Sequence, residues 1–117
     1  MSEDYEREKL GNAVDALAAS AAPIQKRLEY AFMAMHTLMM HKLTDPERQA
    51  EYDAIIEKLT ADKSNEDQGH VATTCARLSD DAAIEIAQAI VDLNARLSMN
   101  RVWHLEDEID KLKRGNR

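Results

Sequence analysis

Between Ile86 and Leu97 the apolar residues recur at steps of four, three and four, as Ile86, Ile90, Leu93 and Leu97. That is the repeat of one face of an α-helix. Similar stripes occur at Leu10, Val14, Leu17 and Ala21, and at Tyr52, Ile55, Ile56 and Leu59. No stretch alternates apolar and polar residues between turn signals, so no sheet is needed. Alanine, the strongest helix former, occurs 18 times against three glycines and two prolines. The fold class that follows is all-α: an antiparallel helical bundle of five to six helices with a long C-terminal helix. Residues 1–117 form a single helical domain, with 115–117 as a frayed tail.

The punctuation sets the expected helices. The first runs from about Glu3 to Ala21, with acidic residues in its first turn. The second opens at Pro23 and extends to Leu43 through Tyr30–Met40, which reads YAFMAMHTLMM and carries no formal charge. A helix apolar nearly all round is expected to be buried on several sides and to span the domain at its centre. Thr44-Asp45-Pro46-Glu47 offers a cap, a first-turn proline and a Glu three residues after Thr44, so a third helix is placed over Pro46–Thr60. Ser64-Asn65-Glu66-Asp67 repeats the capping pattern ahead of Val71, Cys75 and Leu78, and Ser79 caps a fifth helix.

A last stripe, Val102, Leu105, Ile109 and Leu112, lies five residues beyond Leu97. Five fits neither helical step. Either the helix breaks near Ser98-Met99-Asn100, or one continuous helix turns a second face outward, leaving open whether residues 79–114 form one helix or two. The strict three-four-three spacing is the narrow seam of a coiled-coil contact. Trp103 and His104 flank it, and tryptophan is enriched at interface hot spots. Glu106, Asp107 and Asp110 are followed by Lys111, Lys113 and Arg114, so an antiparallel partner would meet opposite signs. Interface residues are therefore expected at Val102, Trp103, Leu105, Ile109 and Leu112, in a homo-oligomer.

Catalytic and metal chemistry find little footing. His36 and His41 are five residues apart, as are His70 and Cys75, so neither pair shares a helix face. The Glu-x-x-His motif of di-iron bundles is absent. Glu3 with Glu6, and Asp107 with Asp110, have the spacing of paired magnesium ligands, but read more simply as solvated faces. No catalytic residue, metal ligand or cofactor is expected. The formal charge of −7 disfavours binding to a phosphate backbone, so direct nucleic-acid binding is not expected. No apolar run is long enough for a membrane span. The lone Cys75 suits a reducing cytoplasm.

The expected function is thus a non-enzymatic helical interaction protein: a small acidic adaptor or inhibitor acting through helix faces, with an unknown protein partner. One alternative is a small-ligand-binding bundle with a Met-rich pocket around His36, lined by Phe32, Met35, His36 and Met39. A second alternative is a metal-dependent enzyme.

Overall fold

In the computed structural model, which describes residues 3–40 and 42–115 (backbone only at 3, 100–104 and 115), the chain is a helical bundle. Its elements are α1 (Glu3–Ala19), α2 (Ile24–Met35), a 3-10 helix (His36–Met40), α3 (Pro46–Leu59), α4 (His70–Arg77) and α5 (Asp80–Gly115). The inner face of α5 is the common floor. Ala83, Ile86, Ile90, Leu93 and Leu97 are all buried, and α1, α2 and α3 each pack against this helix. Leu10, Ala13 and Leu17 of α1, Leu28, Ala31 and Met35 of α2, and Tyr52, Ile55 and Leu59 of α3 pack onto it in the core, together with Leu38, Leu43 and Cys75. Helix α4 is short and closes the bundle against α2 and α3, with Cys75 fully buried.

The central apolar segment departs from expectation. Rather than one helix to Leu43, α2 ends at Met35 after 12 residues, about 18 Å of rise, and a 3-10 helix follows. The phenol of Tyr52 donates to the Met35 carbonyl at 2.9 Å, so an α3 side chain satisfies an oxygen at the point where the winding tightens. Nor is the segment buried all round. Leu38 is in the core, whereas Tyr30, Met33, Met39 and Met40 are exposed, Met40 at 82%. Uncharged composition overstated the burial, because thioethers are tolerated at a surface where a second apolar face has nothing to pack against. The position of α2 among α1, α4 and α5 is nonetheless central.

The caps are also redistributed. Asp45, not Thr44, caps α3, accepting from the Glu47 amide at 2.9 Å, with Pro46 in the first turn. Thr44 is engaged elsewhere: its amide and hydroxyl both donate to Glu6 Oε1, at 2.8 and 3.0 Å. Glu6 is completely buried, and its Oε2 takes no hydrogen bond among the described residues. Asn65 caps a turn instead of a helix, accepting from the Gln68 amide. Gly69 then takes a φ of 94°, a left-handed conformation costly for other residues, and α4 starts at His70. Ser79 caps α5 as expected, its hydroxyl accepting from the Ala82 amide at 3.1 Å.

Polar side chains tie the corners. Arg27 donates to the carbonyls of Leu17 and Ala22, at 2.9 and 2.8 Å, satisfying one acceptor in the last turn of α1 that has no helical partner and one in the link to α2. Gln25 donates to the Leu78 carbonyl and to Asp80, joining the start of α2 to the α4–α5 corner. Arg96 pairs with Glu51 at 2.9 Å across α5 and α3.

Two substitutions separate core from surface in a urea titration. Ile90→Ala, at a fully buried site, should lower the unfolding free energy by about 2–5 kcal/mol. Gly11→Ala should raise it by about 0.5–1 kcal/mol, since Gly11 lies within α1 and an added Cβ meets nothing within 4 Å. A loss at Gly11 would contradict the packing of α1 described here.

Candidate interaction surface

The feature that most distinguishes this bundle is the length of α5. At 36 residues, or about 54 Å, it outlasts the core, whose last α5 residue among the described side chains is Leu97. The molecule measures 63 × 27 × 18 Å, with a radius of gyration of 16.8 Å, against about 13 Å expected for a compact chain of this length. One continuous helix therefore joins the two stripes, and the choice left open by the five-residue step is resolved in favour of a second face.

That face is dry in composition and wet in fact. Leu105, Ile109 and Leu112 are 40%, 50% and 69% exposed, and every described side chain from 105 to 114 is exposed. Val102 and Trp103 lie on the same helix, but their side chains fall outside the described residues. Of the five expected interface residues, the structure thus places three on one exposed face at i, i+4 and i+7. Leu105 also borders a cleft shared with Asp4, Arg7, Glu8 and Gly11 of α1. Lys111 pairs with Asp107 at 3.4 Å along the helix.

Counting in sevens reveals what the sequence stripes concealed. Ile84, Val91, Ser98, Leu105 and Leu112 share one heptad position, and Gln88, Ala95, Val102 and Ile109 share its complement. The terminal stripe is therefore out of phase with the core stripe but in phase with Ile84 and Val91, which are 53% and 38% exposed. Upstream, this face borders a groove of about 490 Å³ lined by Leu17, Ile24, Ile84, Ala87 and Val91 among others. The signal was present in the sequence. It was missed because Gln88, Ala95 and Ser98 interrupt the apolar residues.

Of the four residues expected to line a ligand pocket, the structure brings Phe32 and His36 together and sets Met35 and Met39 in different surroundings. Met35 is fully buried in the core and Met39 is half exposed. His36 is exposed, with Nδ1 2.8 Å from the Met33 carbonyl oxygen, and its ring stacks on Phe32 at 5.9 Å. Phe32 itself lines a shallow cleft between α2 and α4 with Met33, His70 and Val71. Among the described residues, no three His, Cys, Asp or Glu side chains gather to hold a metal ion, and no helix is long and apolar enough to cross a membrane. Asp62, held by Ser64 and Arg77, has its carboxyl below the usual range, mainly through the Ser64 hydrogen bonds.

Compared with protein families, curated proteins and solved structures, the chain matches none.

Burial pushes the Cys75 thiol up to about 11. Since the thiolate is the reactive form, Cys75 in the folded chain at pH 8 should react with an aromatic disulfide reagent at least about 100-fold more slowly than in urea. Equal rates would place it at the surface.

Proposed function

We propose that this protein is a helical interaction protein that acts by binding through helix faces, and that it self-associates through α5. The observation that carries this reading is the exposed apolar row Leu105, Ile109 and Leu112 on a helix that outlasts its own core. Single apolar residues at a surface are ordinary. A periodic row on a protruding helix is not, because water contact along it is relieved only by another surface. The acidic balance, 22 carboxylates against 15 basic side chains, keeps the remaining surface solvated and suits a small acidic adaptor or inhibitor. A single, buried cysteine fits work in a reducing cytoplasm.

Sedimentation equilibrium at micromolar concentration tests the reading. The wild-type chain should sediment above the 13.2 kDa monomer mass. Leu105→Asp combined with Ile109→Asp should return it to monomer, with a melting temperature within a few degrees of the dilute wild-type chain. A wild-type monomer throughout the accessible concentration range would remove the self-association.

A further inference from the structure

We infer that the occupant of the α5 seam is a second copy of this chain, with the two α5 helices parallel and in register from Ile84 to Leu112. This rests on the self-association proposed above and specifies its geometry. The heptad count places Val102 and Ile109 at position a, and Leu105 and Leu112 at position d. A β-branched residue at a with leucine at d is the combination that favours two parallel strands.

Charge selects the same orientation. Glu108 precedes the a residue Ile109, and Lys113 follows the d residue Leu112. In a parallel pair each Glu108 lies across from the second copy's Lys113, which gives two attractive contacts by symmetry. An antiparallel overlap of the two tails would instead set Glu108 against Glu108. An antiparallel overlap along the whole seam, with Ile84 opposite Ile109, would set Glu85 against Glu106. The opposite signs along the tail are thus better matched by the parallel arrangement than by the antiparallel one that the blocks of charge first suggest.

Length supports the upstream half of the contact. The tail alone provides about two heptads, short for a stable pair of helices in water. Ile84 and Val91 continue the same face into the body, where the groove beside Leu17 and Ile24 remains open to a neighbouring helix. Seating the second α5 there joins the tail contact to the folded body.

Crosslinking of the full-length chain tests the geometry. Leu112→Cys puts a thiol where a parallel pair brings two copies of position d together. Under mild oxidation it should give a covalent dimer of twice the monomer mass in high yield, while the buried Cys75 leaves the wild-type chain uncrosslinked. Val91→Asp, at an exposed site, should weaken association at least tenfold in sedimentation while leaving helical circular dichroism unchanged. If the chain self-associates but Leu112→Cys fails to crosslink, the parallel arrangement is overturned and the self-association stands. A wild-type trimer or larger assembly overturns the two-stranded geometry. Undiminished association of Val91→Asp overturns the upstream half of the seam. A wild-type monomer overturns both this inference and the reading beneath it.

Discussion

The burial of one face of α5 is the constraint on which the rest of this structure depends. Ala83, Ile86, Ile90, Leu93 and Leu97 form a continuous apolar strip. No single helix is wide enough to cover it, so α1, α2 and α3 share the task. Desolvation of these side chains is the dominant favourable term available to an all-helical chain of this size. The other helices depend on it in turn, since short helices such as α4 and α2 have little stability in isolation.

Around this apolar centre, a few polar side chains hold the corners at definite angles. Glu6 binds α1 to the segment ahead of α3 through Thr44, Arg27 closes the end of α1, and Tyr52 reaches from α3 to the last carbonyl of α2. Each satisfies backbone groups that the helices leave unpaired. Tyr52 loses its ready ionisation in the process: burial, with Asp53 nearby, pushes its phenol above the normal range. A neutral phenol that donates one hydrogen bond is well suited to a dry position.

Much of the fold was legible because helical periodicity is a local signal. The inner stripe of α5, the face of α3 and the Ser79 cap all sit where their spacing and chemistry place them. Two of the failures share a cause: the deciding partner was distant in sequence. Thr44 has the chemistry of a helix cap, but Glu6, 38 residues away, takes it. The extension of α2 past Met35 looked continuous because nothing near it in sequence points to Tyr52. For the interaction surface, the tail was visible as a stripe. Its upstream continuation is hidden among polar residues in the sequence and stands apart only where the fold buries the other face of α5.

No glycine or proline interrupts α5 between Asp80 and Arg114, and those are the usual sources of a sharp kink. The helix is consequently one continuous shaft, with one end packed in the core and the other exposed. A torque applied at the protruding end meets no built-in swivel before it reaches the packed side chains inside. Whatever grips this protein at its tip also holds a handle on its interior.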